Sequence, residues 1–217
     1  MVTIRWFGHA CFAISTNGYT IVIDPHDGSS IGLPRPDIKA DLVLVSHDHF
    51  DHNAVEVVSK ETTRVLKMFY GEADFGNIKV KGIKTFHDKY NGRRRGENTI
   101  YIVNIGEYKI AHLGDLGHIP SEEVLNELKD IDVLMIPVGG VYTIDYQEAW
   151  SIVEKTLPKI TVPMHYWVKG LILPLHPIDD FLALVKKIKV VRKDGNDFIL
   201  EDELMETPKI IILKPPT

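Results

Sequence analysis

The 217-residue sequence has little cysteine, no long apolar run and no excess of positive charge. Its one cysteine, Cys11, excludes an internal disulfide and fits a reducing cytosol, and its apolar neighbours predict that it is buried. No apolar run reaches the length of a membrane span, and the N-terminus lacks the pattern of a signal peptide. The net charge of −5 is unlike that of a general nucleic-acid binder. These absences predict a cytoplasmic protein that contacts no membrane and does not have nucleic acid as its partner.

The rest of the composition is that of an ordinary globular protein. Hydrophobic residues make up 44% of the chain and charged residues 25%, which is enough apolar material for a sizeable core. No linker, repeat or low-complexity tract divides the sequence. Residues 1–217 are therefore predicted to form a single domain.

Apolar segments along the chain predict many strands and few helices. Strands are predicted at residues 2–7, 11–15, 19–24, 41–45, 64–68, 78–86, 98–104, 107–112, 133–136, 160–164 and 210–213, with two short strands joined by the Asp194-Gly195 turn. Helices are predicted at 53–60, from Ser121 onward, at 146–156, and from Pro177 to about Lys189. This pattern favours an α/β fold in which two packed sheets carry helices on their outer faces.

The most specific feature is an H-x-H-x-D-H motif formed by His47, His49, Asp51 and His52. Imidazole nitrogen and carboxylate oxygen are the ligands that zinc, manganese and iron take in proteins. The motif directly follows a predicted buried strand, so its side chains should lie at the carboxyl end of that strand, where α/β sheets usually hold their sites. The sequence therefore predicts a metal site on this loop.

Three further metal-ligand types stand just past apolar segments, as the motif does. They are His87, Asp115 and His165. Gly114 precedes the aspartate and allows a sharp turn that presents the carboxylate. If the preceding strands share a direction, all of these side chains meet at one edge of the fold.

The order and spacing of these residues resemble the five motifs of the metallo-β-lactamase superfamily. The matching segments are Ile23-Asp24-Pro25, the His47–His52 motif, His87, Gly114-Asp115 and His165. Within the superfamily, Trp6-Phe7-Gly8-His9-Ala10 and Val162-Pro163-Met164-His165-Tyr166 resemble the branch of lactonase-like and phosphodiesterase-like hydrolases. The resemblance covers essentially the whole fold and implies a four-layer αββα sandwich.

The resemblance also implies a ligand assignment for two divalent ions. His47, His49 and His87 would hold the first ion, Asp51, His52 and His165 the second, and Asp115 would bridge the two. Such a set leaves positions open for water and substrate, and a hydroxide between the ions is the implied nucleophile. Asp24 would accept a hydrogen bond that orients a ligand or the motif loop. Zinc is the expected metal, with manganese and iron as alternatives that the ligand types also suit.

Other residues near these motifs are candidates for substrate contact or proton transfer. His118 follows Asp115 in a Gly-Pro loop and is a candidate acid for the leaving group, alongside Asp51 and Asp115 as catalytic residues. His9 is a candidate for substrate binding or for a supporting role behind the ligands. Arg94 and Arg95 belong to a run of three arginines just past His87, and their guanidinium groups suit an anionic substrate.

The remaining histidines have simpler interpretations. His112 lies inside a predicted strand and is expected to be a hydrogen-bonded core residue, although it is an alternative ligand to His87. His26 and His176 are expected to be ordinary surface or loop residues.

The sequence thus predicts a metal-dependent hydrolase with two ions that attacks an ester-type bond, such as a phosphodiester or a lactone, in a small and anionic substrate. The alternatives are an iron-dependent redox enzyme of the same fold, an RNA-cleaving nuclease and a metal-binding regulatory protein. Diiron members of the superfamily carry a carboxylate where this chain has His49, and nuclease branches carry an inserted domain that this chain lacks. The sequence makes no prediction about oligomeric state.

Overall fold

In the computed structural model, which describes residues 1–216, two β-sheets pack face to face. The first sheet contains β1 (Val2–Trp6), β2 (Phe12–Thr16), β3 (Tyr19–Ile23), β4 (Leu42–Val45), β5 (Arg64–Lys67) and β13 (Asp197–Ile199). Its strand order is β13-β1-β2-β3-β4-β5. The Asn17-Gly18 turn joins β2 to β3, which pair in antiparallel fashion.

The second sheet contains β6 (Gly71–Asp74), β7 (Ile78–Phe86), β8 (Glu97–Ile105), β9 (Tyr108–His112), β10 (Val133–Pro137), β11 (Ile160–Met164), β12 (Lys189–Arg192) and β14 (Lys209–Ile212). Its strand order is β12-β14-β11-β10-β9-β8-β7-β6. The helices are short: α1 (Val55–Val58), α2 (Glu122–Glu127), α3 (Tyr146–Thr156), α4 (Asp179–Leu182) and α5 (Leu200–Glu203), with one turn of 3₁₀ helix at Ser29–Ile31.

Along the strands of the first sheet, side chains alternate between its two faces, and each face packs against a different layer of the fold. Phe12 and Ile14 of β2 face the core shared with the second sheet. Ala13 of β2 and Val43 of β4 point to the opposite face, where Val57 of α1 covers them. On the far side of the second sheet, α3 buries its apolar face on the same large core. The fold is therefore the predicted αββα sandwich.

Strand direction explains why the predicted ligands share one edge. In the second sheet β7 and β9 both run antiparallel to β8, and β9, β10 and β11 are mutually parallel. The carboxyl ends of β7, β9 and β11 therefore lie at the same edge. In the first sheet β3 and β4 are parallel, so the segments that follow them also leave the sheet together.

Most predicted elements are present, and the differences have local causes. Helix α3 has the predicted bounds, because Asp145 and Glu148 form a capping box at its start. The helix predicted from Pro177 to about Lys189 is present only as α4, because the chain must extend to enter the sheet as β12. The predicted strand at 210–213 does not close the sheet, since β12 pairs outside it.

Side chains of both sheets share one large cluster of buried residues. This favours a single domain, which stays a prediction; Thr217, its last predicted residue, lies outside the described residues. Within residues 1–216, no helix is long and apolar enough to cross a membrane.

Candidate metal centre

The segments that follow β4, β7, β9 and β11 converge where the two sheets meet. Asp115 lies at the centre of the convergence. Its Oδ2 atom is 3.2 Å from His165 Nε2, 3.3 Å from His87 Nε2, 3.4 Å from His52 Nε2 and 3.8 Å from His47 Nε2. One carboxylate therefore faces imidazoles from both predicted ligand sets, which is the arrangement that a bridging ligand requires.

The turn before Asp115 depends on the absence of a side chain at Gly114. This glycine has φ +55°, and an added Cβ would lie 2.3 Å from Asn98 Oδ1 and 2.7 Å from Ser46 Cβ. The same Asn98 Oδ1 accepts a hydrogen bond from the Asp115 backbone N–H at 2.9 Å. The Asp115 carboxylate is thus fixed by close packing of its loop against Asn98 and Ser46.

The first set of candidate ligands is made of imidazoles alone. The nitrogens of His47, His49 and His87 lie close enough together to hold one ion. His47 and His87 are buried, whereas His49 is half-buried and lines an open cavity. This set therefore reaches the cavity through His49, and the other set reaches the same cavity through Asp51.

The second set of candidate ligands contains a residue that was not predicted as a ligand. Asp51, His52 and His165 lie together as expected, and His9 completes the group. His9 Nε2 is 3.0 Å from Asp51 Oδ2 and 3.1 Å from His52 Nε2, and its side chain is fully buried. His9 thus lies among the candidate ligands and not on the cavity wall, so this geometry does not favour the predicted contact with substrate, which stays a prediction.

Asp24 holds the motif loop from behind. Its Oδ1 accepts a hydrogen bond from the Ser46 backbone N–H at 2.7 Å, and its Oδ2 accepts from Ser46 Oγ at 2.6 Å and from His52 Nδ1 at 3.1 Å. Because the Ser46 hydroxyl proton points to Asp24, His47 Nδ1 donates to Ser46 Oγ at 2.9 Å. Both Nδ1 atoms therefore carry a proton, and both Nε2 atoms point to the centre.

Burial and charge set the protonation of the centre. Burial lowers the pKa of His87 to about 4 and the pKa of His47 well below its usual value, so both imidazoles are neutral and have free lone pairs. Burial opposes ionisation of Asp51 and Asp115, but the surrounding imidazoles outweigh it and lower both pKa values. Burial also opposes a charged His52, yet Asp115 and Asp51 together raise its pKa.

Several buried polar atoms in this cluster have no hydrogen-bond partner among the described residues. They are Nε2 of His47, Nε2 of His165 and Oδ1 of Asp115, together with Nδ1 of His9, His87 and His165. A buried polar atom without a partner is costly in free energy, and native proteins almost always satisfy it. Divalent cations bind imidazole nitrogen and carboxylate oxygen, and they favour places where carboxylates concentrate negative charge. The unpartnered atoms of this cluster are of these two types. The residues present therefore fit bound cations.

The predicted arginines line the same opening as the ligands. A cavity of about 480 Å³ is bordered by His49, Asp51, His87 and Asp115 on one side and by Arg94, Arg95 and Tyr142 on the other. The Arg94 guanidinium stacks 4.0 Å from the Tyr90 ring centroid, and that of Arg95 lies 5.2 Å from the Tyr142 ring centroid. Within residues 1–216, neither guanidinium makes an ion pair with a carboxylate.

Asp88, a residue that the sequence analysis missed, holds the arginine loop. Its Oδ1 accepts backbone hydrogen bonds from Tyr90 and Gly92, and its Oδ2 accepts from Arg94 and Arg95, at 2.7–3.0 Å. Burial alone would raise the pKa of Asp88, but these four N–H donors lower it to about 2. An aspartate directly before a loop of glycine and arginine is a sequence signal for such a turn.

His118 does not face the cavity. Its Nε2 accepts a hydrogen bond from the Phe86 backbone N–H at 3.3 Å, and its Nδ1 donates to the Ile119 carbonyl at 2.9 Å. Both ring nitrogens are thus occupied by backbone groups. The proposed role of His118 as an acid stays a prediction that this geometry does not favour.

The other histidines lie outside the candidate ligand groups of the described chain. His112 is buried, with Nε2 donating to the Ala10 carbonyl at 2.8 Å and Nδ1 accepting from the Gly114 N–H at 3.1 Å, as a core histidine should. His26 is not on the surface: it is fully buried and donates to the Phe7 carbonyl at 3.1 Å. His176 is exposed and lies 3.5 Å from Asp180.

A second, larger cavity has different chemistry. It encloses about 950 Å³ between α3 and the segments near 184–188 and 207–208, and its lining is mainly apolar. Glu154 is its only wall residue of a metal-ligand type within the described chain. Judged by volume alone, this larger cavity would be the candidate functional site. The converging polar groups instead identify the smaller cavity as the candidate site.

Comparison with known proteins agrees with this geometry. The pattern of the Beta-lactamase superfamily domain matches residues 3–165, well over half of the chain, and the chain belongs to this superfamily. A UPF0173 protein of Pyrococcus abyssi is 32% identical over 188 residues, covering 77% of this chain and 84% of that protein. A UPF0173 metal-dependent hydrolase of Thermoplasma acidophilum is 31% identical over 186 residues, covering 75% and 82%.

A solved structure shares the whole fold. The crystal structure of a candidate Zn-dependent hydrolase of the metallo-β-lactamase superfamily from Thermotoga maritima is 36% identical, with a TM-score of 0.77 and 98% of each chain covered. This chain is thus similar, over most of its length, to proteins described as metal-dependent hydrolases.

Proposed function

We propose that the protein is a binuclear hydrolase, with zinc as its expected metal, that cleaves an ester-type bond in a small anionic substrate. The observation that carries the proposal is the position of Asp115 Oδ2 within 3.2–3.8 Å of four histidine Nε2 atoms from two ligand sets. A single structural ion has no use for seven ligands and an adjoining open cavity, whereas a pair of catalytic ions does.

The assignment of ligands follows the two groups described above. His47, His49 and His87 would hold one ion and Asp51, His52 and His165 the other, with Asp115 shared between them. When bound, such ions supply an activated water as nucleophile at neutral pH and a Lewis acid for developing negative charge. Asp24 and Ser46 orient His52 and His47, so the two Nε2 atoms are already aimed before any ion binds.

The substrate would enter through the cavity that His49 and Asp51 share with Arg94 and Arg95. A guanidinium group offers paired N–H donors that match the oxygens of a phosphate or carboxylate. Stacking on Tyr90 and Tyr142 limits the motion of both side chains, which reduces the entropy lost when they bind an anion. A phosphodiester or a lactone that carries a negative charge is therefore the proposed class of substrate.

The test combines metal content with an activity screen. Purified protein is loaded with zinc, manganese or iron, its metal content is measured, and it is assayed with bis-aryl phosphates, lactones and thioesters side by side. We expect two ions per chain and hydrolysis of at least one ester class, and both should be lost in Asp115→Asn. Protein that binds no metal, or that stays inactive on every substrate after loading, would refute the proposal.

The same screen separates the alternatives. Oxygen consumption by iron-loaded protein, with no hydrolysis by the zinc form, would favour the redox enzyme. RNA cleavage with a steep dependence of binding on salt would favour the nuclease.

A further inference from the structure

We propose that His9 is a fifth side-chain ligand, through Nε2, of the ion held by Asp51, His52, His165 and the shared Asp115. This inference rests on the proposed two-ion centre and adds a ligand to it that the superfamily motifs do not supply. It makes the two positions unequal, because one would have three imidazoles and the other three imidazoles and a carboxylate, with Asp115 common to both.

The distances around His9 match those between ligands of one ion. An ion with bonds of about 2.1 Å holds neighbouring ligand atoms about 3.0–3.4 Å apart, depending on the number of ligands. His9 Nε2 is 3.0 Å from Asp51 Oδ2 and 3.1 Å from His52 Nε2, and Asp51 Oδ2 is 3.6 Å from His52 Nε2. With His165, all four donor atoms lie within 4.8 Å of one another.

At 3.1 Å the Nε2 atoms of His9 and His52 are within hydrogen-bond distance, so the contact reports coordination only once an ion is bound. His52 Nδ1 donates to Asp24, so an ion would bind the Nε2 lone pair of His52. With that lone pair taken, His52 Nε2 would neither donate nor accept, and the short approach of His9 Nε2 would then reflect coordination. Two nitrogens directed at one point are what coordination requires.

The backbone holds His9 in an unfavourable conformation. His9 has φ +51°, in the left-handed region that non-glycine residues rarely adopt, directly after Gly8 at φ +90°. Its carbonyl accepts hydrogen bonds from His165 N–H at 3.1 Å and from the Trp6 indole N–H at 3.0 Å. His165 also has φ +51°. Backbone strain of this kind is concentrated at functional sites, and here it links two members of one ligand group.

Burial excludes the other roles that a histidine takes near an active site. The His9 side chain is fully buried and does not line the cavity, so it cannot contact substrate in this structure. The remaining alternative is a supporting role in which Nε2–H donates to Asp51 Oδ2. The two roles differ in one atom, because a ligand has no proton on Nε2 and a donor to Asp51 has one.

The deciding experiment locates that proton in the zinc-loaded wild-type protein. Long-range ¹H–¹⁵N correlation spectra of protein labelled with [¹⁵N]histidine report the tautomer of each ring. His9 is assigned through its backbone, so the measurement does not depend on a variant that folds. We expect the proton on Nδ1 and a metal-bound Nε2. A proton on Nε2 of His9 would overturn the inference.

Metal binding provides the second readout. In His9→Gln we expect one of the two zinc ions to bind more than about 100-fold more weakly, beyond the roughly 10- to 100-fold loss typical of a supporting residue. His26→Gln is the matched control, because His26 is as buried as His9 but belongs to no candidate ligand group. Its two affinities should stay within about twofold of wild type.

The failures of the two proposals are distinguishable. If the wild-type protein binds one zinc ion or none, the proposed two-ion centre is itself refuted. A wild-type protein that binds two ions, together with a His9→Gln variant of unchanged affinity, would remove only the role assigned to His9.

Discussion

The two halves of the candidate metal centre differ in charge and in the residues that support them. His47, His49 and His87 contribute imidazoles alone, and half-buried His49 opens onto the cavity. The other half combines histidines with Asp51 and is supported from behind by Asp24, in a setting where His9, His52 and His165 are buried. Both halves reach the cavity, the first through His49 and the second through Asp51, so the comparison shows that they differ in charge and in the support from Asp24.

Removal of His52 should give the largest difference in stability between the two halves. His52 lies between Asp24, Asp51 and Asp115, so His52→Ala leaves a buried group of carboxylates without a positive partner. We expect the metal-free variant to lose about 3–5 kcal/mol of unfolding free energy. His49→Ala, at a half-buried position, should lose less than about 1 kcal/mol. Urea denaturation of both proteins after chelation tests this, and equal losses would show that the two halves are alike.

Changes behind the ligands should have the next largest effect. Asp24→Asn keeps the shape of the side chain but weakens its hydrogen bonds to His52 and Ser46, so we expect about 10- to 100-fold weaker zinc binding. Ser46→Ala removes only the contact with His47 Nδ1 and one hydrogen bond to Asp24, and should cost less. Competition with a chromogenic chelator measures both. A larger loss in Ser46→Ala would reverse the assigned order.

The arginine loop offers a pH test outside the ligand cluster. The pKa of Asp88 is lowered to about 2, because burial is outweighed by four backbone N–H donors. Its contribution to stability is therefore present above the unfolded pKa of about 3.9 and is lost as the pH falls through about 2.

We expect Asp88→Asn to lower the unfolding free energy at pH 7 by ~1–2 kcal/mol, and the difference from wild type to vanish between about pH 4 and pH 2. Exposed Asp37→Asn serves as the control. A difference that persists at pH 2 would contradict this account of the loop.

The smallest expected effect concerns substrate affinity. Arg94→Ala and Arg95→Ala should each raise KM for an anionic substrate about tenfold, or roughly 1.4 kcal/mol, with kcat and zinc content unchanged. Arg93→Ala is the matched control, because Arg93 belongs to the same run but does not line the cavity. Steady-state kinetics decide, and equal KM values in all three variants would remove the arginines from substrate binding.

Local patterns predicted that four candidate ligands would meet, because each of the four follows an apolar strand. His47, His87, Asp115 and His165 all stand at this position, and parallel strand ends bring them together. The same reasoning did not place His9 in a candidate ligand group, because the direction of its ring depends on the left-handed turn at residues 8 and 9 and on a hydrogen bond from His165. Neither is visible in the residues around it.

The sequence also failed to predict elements that form only by pairing with segments distant along the chain. Strand β6 has the sequence Gly-Glu-Ala-Asp, which favours no strand by propensity and forms one only by pairing with β7 at the sheet edge. The hydrogen bonds of Asp88 and Ser46 likewise depend on how loops close, whereas periodicity reports only which face of an element is buried.

The candidate ligands come from both sheets, with the motif loop after β4 of the first and His87, Asp115 and His165 after β7, β9 and β11 of the second. An ion held by them would therefore be a cross-link between the two layers of the sandwich at one edge. Folding and metal loading are then joined by mass action, and each tenfold excess of ion over its Kd adds about 1.4 kcal/mol to stability. Starvation for metal should loosen this edge first, while the opposite edge keeps its packing.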